Sequence, residues 1–401
     1  MKNTLLNNFI RYVKIDTMSS EETNTTPSTA KQFDLAKVLV DELIKLGLKD
    51  IHLSENCFVY ATLPANIDTT ESIGFVAHMD TIPGFSGTNV NPQIIKNYDG
   101  NDVHLNGVSI TNSQFPFLSK LTGKTLITTD GTTVLGADDK AGVAEIMTML
   151  WYYITTGEPH VNIHVAFTPD EEIGAGIEHF DLSKFKCVYA FTVDGGGYDE
   201  INYENFNAAS AHVIIKGLDI HPGDAKDKMI NASLVAMEFN ELLPQCRPDN
   251  TEGYEGFIHL TDMNGVVGEA NLYYILRDHN LDLLNHKKKA LELTKDAINN
   301  KYGEGTCEVI IKDSYFNMAE LIKKDPRCID KAMNAMKALN IVPVTSPIRG
   351  GTDGARLTYM GLNTPNLGTG GYNCHGPYEF ACLEEMETVT KILIEIAKGI
   401  E

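Results

Sequence analysis

Positive charge is scarce in this chain of 401 residues: 33 Lys and Arg stand against 54 Asp and Glu, a formal charge of −21. That balance argues against nucleic acid or an anionic membrane surface as a partner. Long apolar runs are missing as well. No stretch approaches the roughly 20 residues of a membrane span. The opening MKNTLLNNFIRYVKIDT has no signal-peptide core; its Leu5, Leu6, Phe9, Ile10 and Val13 mark one face of a helix instead. Cysteine pairing is absent too. The seven cysteines are dispersed with no CxxC, which speaks for reduced thiols rather than a disulfide framework. Internal repeats and low-complexity tracts are lacking. The expectation is a soluble, cytoplasmic protein without a nucleic-acid or membrane partner.

What is present is an ordinary globular composition, 43% apolar, in a chain long enough for two domains. Residues 31–48 carry apolar side chains at three- and four-residue intervals and read as a helix. CFVYATL, SIGFVA, NIHVAF and KCVYAFTV read as apolar strands, and GADDKAGVAEIMTMLWYYITTG as a glycine-led turn into a long helix. Strands alternating with helices predict an α/β domain with a mostly parallel core sheet. Near Ala208 the order changes to strand, helix, two strands, helix and strand, which describes an α+β sandwich. After this insert the texture returns to glycine-rich loops, where the late His375 is a candidate to join acids and a histidine that precede the insert. The expected division is therefore a discontinuous domain, residues 1–205 and 316–401, interrupted by a lid at 206–315.

Three of the strands run into candidate ligands. SIGFVA leads to His78-Met79-Asp80, NIHVAF to Asp170-Glu171-Glu172, and VYAFTV to Asp194 before three glycines. In parallel α/β sheets such groups meet at the carboxyl ends of the strands. Taken singly each has a plainer reading: an edge histidine and a turn acid, a helix cap at Asp138 or Asp139, an Asx-turn at Asp194, a loop histidine at His375. Taken together they do not, because several unpaired carboxylates in a crevice are costly to bury. One or two divalent cations remove that cost.

The segments FVAHMDT, LGADDKAG, FTPDEEIG, TVDGGG and GTGGYNCHG resemble the five metal-site motifs of the dinuclear zinc exopeptidases related to aminoacylase and carboxypeptidase. RYVKIDTMS, HPGDAKDKMINA and SPIRGGTDGARLTYMGLNTPNLGTGGYN are similar to the members of that family that act on tripeptides. The resemblance implies a zinc-exopeptidase-like fold and an aminopeptidase activity. It implies two Zn2+ per subunit, with other divalent metals possible, and a short peptide as substrate. His78, Asp138, Glu172, Asp194 and His375 then become ligands, with Asp138 shared by both metals. Asp80 orients the ring of His78, and Glu171 is the general base. His221 resembles a histidine that relatives bring from the smaller domain, and a structural role is the alternative. Arg277 and Arg349 are candidates for holding the peptide's carboxylate, since guanidinium binds carboxylates bidentately. Asp170 is left as a solvated or helix-capping acid. A homodimer through the lid is a further expectation. Dipeptidase, carboxypeptidase and N-acyl amino-acid deacylase activities remain alternatives on the same scaffold, as does a non-catalytic metal-binding protein.

Overall fold

The alternating apolar runs become strands of one twisted sheet in a computed structural model that describes residues 1–399. Among the described residues this sheet has seven strands, in the order Lys49–Leu53, Val59–Leu63, Asn162–Thr168, Ser72–His78, Tyr189–Gly195, Asn366–Gly368 and Ile201–Asn202. The strands from Asn162–Thr168 to Asn366–Gly368 run parallel, and the outer ones are antiparallel. The mostly parallel α/β core agrees with the expected fold class. Its registers set His78 beside Thr168 and Val76 beside Thr192, so the carboxyl ends of three strands lie side by side.

The helix Ala137–Thr156 packs on the strands Ser72–His78 and Tyr189–Gly195 and is flanked by the helices Lys2–Val13 and Leu383–Ala397. Its residues from Lys140 to Leu150 are buried on every side, as a central helix must be. Alternate strand residues Val76, Ala166 and Ala190 pack instead with Phe180, Phe185 and Leu357. No described helix is long and apolar enough to cross a membrane.

A second, small sheet was not foreseen. It joins Gly371–Tyr372, Phe380–Cys382, Leu126–Thr128 and Gln93–Ile95 in that order, through residues expected to form loops. Strands of two or three residues leave no alternation for a sequence reading to detect.

The chain forms two units: Met1–Tyr203 with Leu321–Ser346 and Thr352–Glu401, and Glu204–Glu320 with Pro347–Gly351. The second is an antiparallel sheet ordered Phe257–Gly265, Glu269–Asp278, Asn207–Lys216 and Cys307–Tyr315. The helices Ala232–Leu242 and Leu281–Tyr302 cover it, burying Val213, Leu272, Val235, Phe239, Leu291 and Ile298. Pro347–Gly351 joins this unit because Ile348 hydrogen-bonds to Glu204 and His279.

One buried residue of the central helix goes against the pattern. Glu145 has no exposed surface, and neither carboxyl oxygen has a hydrogen-bond partner among the described residues. Burial pushes its carboxyl well above the usual range. An unsatisfied buried polar group costs about 1–3 kcal/mol. A folded-state value above the unfolded one makes that cost smallest in acid and larger as pH rises toward the folded value. Glu145→Met is therefore expected to raise the thermal midpoint, and to raise it more at about pH 8 than at about pH 5. A midpoint unchanged at both would contradict the unpaired acid.

Candidate metal centre

Three strand ends and two turns supply the site. His78 closes the strand Ser72–His78, Glu171 and Glu172 follow the strand Asn162–Thr168, and Asp194 lies near the end of Tyr189–Gly195. Asp138 stands at the non-helical start of the central helix (φ −85°, ψ 103°). That helix can begin so near the sheet only because residue 142 is glycine: a Cβ there would lie 1.9 Å from the Val193 carbonyl oxygen. The small sheet brings in the last candidate. Leu126–Thr128 pairs with Phe380–Cys382, whose hairpin partner is Gly371–Tyr372, and His375 sits in the loop between those two strands.

Asp138 is the centre of the arrangement. Its Oδ1 lies 3.0 Å from His78 Nε2, and its Oδ2 lies 3.0 Å from His375 Nε2. Beyond His78 comes Asp194, whose Oδ1 is 3.6 Å from the same Nε2. Beyond His375 comes Glu172, whose Oε2 is 3.0 Å from His375 Nε2. Each imidazole is thus paired with one terminal carboxylate, and one aspartate faces both. Asp139 also lies within ligand range of His78 and Asp194. Its oxygens, however, already accept the main-chain N–H groups of His78 (3.2 Å) and Gly142 (3.1 Å). The two adjacent acids therefore have different tasks: Asp139 braces the backbone and Asp138 presents a carboxylate.

Other buried acids hold these side chains in place. Asp80 Oδ1 is 3.3 Å from His78 Nδ1 and accepts the N–H of Glu171 at 3.0 Å, while its Oδ2 accepts that of Glu172 at 3.2 Å. One carboxylate thereby orients the imidazole and fixes the dipeptide opposite it. Glu379 does the same for the Asp138 turn, accepting the N–H groups of Leu135 (2.6 Å), Gly136 (2.8 Å) and Asp138 (3.1 Å). Asp353 accepts the Thr168 hydroxyl at 2.8 Å, just before the acidic run. The reading of Asp170 needs correction. It is neither solvated nor a cap: it is fully buried, caps no N–H of the turn Glu171–Ile173, and binds Ser28 and Gln32. A strand end covered by other elements offers no solvent to a carboxylate, so it must find donors within the fold.

Electrostatics test whether cations suit the set. Burial, then the charge of Asp194, pushes Glu171 well above the usual carboxylate range; Asp353 and Glu172 add to this and His78 opposes it. Burial raises Asp194 to about 6 and Asp353 to about 6. Asp138 moves the other way: burial raises it, but hydrogen bonds from His375 and His78 outweigh burial and lower it. Hydrogen bonds to Asp138 and Glu172 raise His375 to about 10. The cluster is short of positive charge, and its donors are imidazole nitrogens and carboxylate oxygens converging within a few ångströms. That donor set fits two divalent cations sharing Asp138.

The remaining candidates lie in the second unit. His221 is exposed and accepts the N–H of Gly223 through Nδ1 at 3.2 Å. Arg277 donates to the carbonyls of Ala209 and Leu276 and lies over the Tyr315 ring. Arg349 donates to Gly253, Glu255 and Thr251 and lies over Phe206 and Phe257. Both guanidiniums are engaged within their own unit. The sequence reading passed over an arginine of the first unit: Arg356, whose Nη2 is 3.4 Å from where a Cβ on Gly174 would stand, beside the Glu172 turn. Its only signal was its place in the run SPIRGGTDGARLTYM, where Arg349 alone was taken as a candidate.

A model of peptidase family M20/M25/M40 matches residues 128–399. A Peptidase T of Caldanaerobacter subterraneus subsp. tengcongensis is 51% identical over 396 residues, covering 97% of this chain and 97% of that protein. Among solved structures, the aminopeptidase PepT of Bacillus cereus is similar with a TM-score of 0.79 at 22% identity, covering 99% of this chain and 98% of its own. A tripeptidase of Staphylococcus aureus reaches 0.81 at 20% identity, with the same coverage of 99% and 98%.

Metal uptake checks the geometry. Metal-free protein titrated with Co2+ is expected to bind two equivalents, and Asp138→Ala to lose both. Glu379→Ala keeps every ligand but frees the Asp138 turn, so affinity should fall about 10–100-fold. Undiminished affinity in Glu379→Ala would show that the turn stands without it.

Proposed function

This chain belongs to peptidase family M20/M25/M40, and from that premise we propose an aminopeptidase that uses two zinc ions to release the first residue of tripeptides. The observation that carries the reading is the Asp138 carboxylate, with one oxygen toward His78 and the other toward His375. A carboxylate so shared is the arrangement two cations need. The relative that is 51% identical over nearly the whole chain is a Peptidase T, which supports that choice of substrate.

His78 and Asp194 would hold one cation, His375 and Glu172 the other, and Asp138 both. When bound, such cations activate a water molecule and polarise the scissile carbonyl. The chain's own residues do the rest. Glu171, held by its main-chain N–H on Asp80, accepts a proton from the attacking water and returns it to the leaving amine. Asp80 keeps Nδ1 of His78 engaged, which leaves Nε2 toward the ligand set. For the second unit we propose a lid that supplies His221 to the developing oxyanion. For the peptide's carboxylate we add Arg356 to Arg277 and Arg349; Arg349 ranks last, because its donors already serve three residues. Exposed Leu234 and Met237 on the helix Ala232–Leu242 support a homodimer through this unit. The dispersed free cysteines support a cytoplasmic location.

A tripeptide, a dipeptide and an N-acetyl amino acid assayed side by side separate the readings, and a chelator should abolish whichever activity is found. Cleavage of the acylated compound alone would sink the aminopeptidase. Glu171→Gln should lower turnover about 10²–10⁴-fold while metal content stays normal; equal loss of metal would contradict its role as base. Light scattering is expected to give the mass of two chains, and Met237→Glu to shift it toward one.

A further inference from the structure

Asp170 takes no part in the chemistry proposed above, yet it is the most firmly held of the three consecutive acids. Its Oδ2 accepts the main-chain N–H of Ser28 at 2.7 Å, and its Oδ1 accepts the Ser28 hydroxyl at 2.5 Å and Gln32 Nε2 at 2.6 Å. Gln32 Oε1 in turn accepts the N–H of Asp170 at 3.3 Å, so one amide grips both its side chain and its backbone. Asp170 and Gln32 have no exposed surface, and Ser28 is 4% exposed. All three donor groups are neutral. The carboxylate is therefore placed here by geometry and not by a counter-charge.

The backbone explains why the position matters. Asp170 has φ 56° and ψ 26°, left-handed values that are uncommon for a residue with a Cβ and that aspartate tolerates better than most. This twist separates the side chain of Asp170, directed to Ser28 and Gln32, from Glu172, which meets His375. Immediately after it, the N–H groups of Glu171 and Glu172 are fixed by Asp80. Two buried carboxylates thus hold the start of one short turn. The turn closes on itself through the N–H groups of Gly174 and Ala175, which donate to the carbonyls of Glu171 and Asp170, and the Asp170 side chain is what fastens it to Ser28 and Gln32.

We infer that Asp170 is a positioning residue that ties the turn bearing Glu171 to the N-terminal segment through Ser28 and Gln32. The inference rests on Glu171 being the base. Misplacing a catalytic group by an ångström costs on the order of 10²-fold in rate. Asp170→Ala is accordingly expected to lower kcat about 10²-fold on a tripeptide, with KM within about 2-fold and metal content unchanged.

The pair with Gln32 gives a second test, which does not depend on Asp170→Ala folding. Gln32→Glu sets two carboxylates against each other, and Asp170→Asn exchanges an acceptor for a donor. Each alone should lower kcat, while the two together restore a complementary pair and recover at least about 10-fold over Gln32→Glu alone. Wild-type kcat in Asp170→Ala, a loss explained wholly by missing metal or unfolded protein, or an additive double variant would overturn the inference. Amide hydrogen exchange tests the tether without any substrate. Peptides covering 28–32 and 170–174 should lose protection together in Asp170→Asn, and loss confined to the first would also overturn it. If the wild-type protein cleaves no tripeptide, the functional reading falls, and the exchange experiment still decides the tether.

Discussion

Carboxylates collected at one end of a parallel sheet repel one another, and they do so most strongly where the fold removes water. Asp138, Glu171, Glu172, Asp194 and Asp353 stand in this position, with burial and mutual charge driving all but Asp138 upward in pKa. Asp138 escapes because two imidazoles face it from opposite sides. The same geometry that relieves this one acid defines where positive charge belongs in the cluster. The proposed ligands answer that shortage.

The scaffold meets the shortage in two ways. Acids that hold no metal in this reading are satisfied by neutral donors: Asp139 and Glu379 by backbone N–H groups, Asp80 largely likewise, Asp170 by a serine and a glutamine. Such bonds stabilise a carboxylate without removing the charge that attracts cations. Asp138, Asp194 and Glu172 are left to the two histidines. A buried anion fastened to backbone N–H groups also stiffens the loop that carries them.

Close approach is the complementary requirement. Gly142 lets the central helix touch the strand of Asp194, and the short sheet of Leu126–Thr128 with Phe380–Cys382 carries His375 to Asp138 across more than half the chain. Neither feature contributes a ligand. Both act by reducing distance, and the ligands come from segments that share no local sequence.

Much of this was legible in the sequence, because periodicity and spacing are local properties. Apolar alternation marked the strands of the main sheet, and the acids and histidines at their ends marked where chemistry belonged. The motif around Asp138 singled it out from its neighbour. What stayed hidden depended on partners far along the chain. Asp170 looked like a solvated acid because nothing near it reveals Ser28 and Gln32; Glu379 and Arg356 lacked any local sign of what they would touch; the small sheet was too short to show a period. Residue type and order thus decided which groups are available and which strands form. Only the tertiary structure decided which carboxylates face the two histidines and which face hydroxyl, amide and main-chain donors, because that depends on burial and on groups that meet only after the chain has folded.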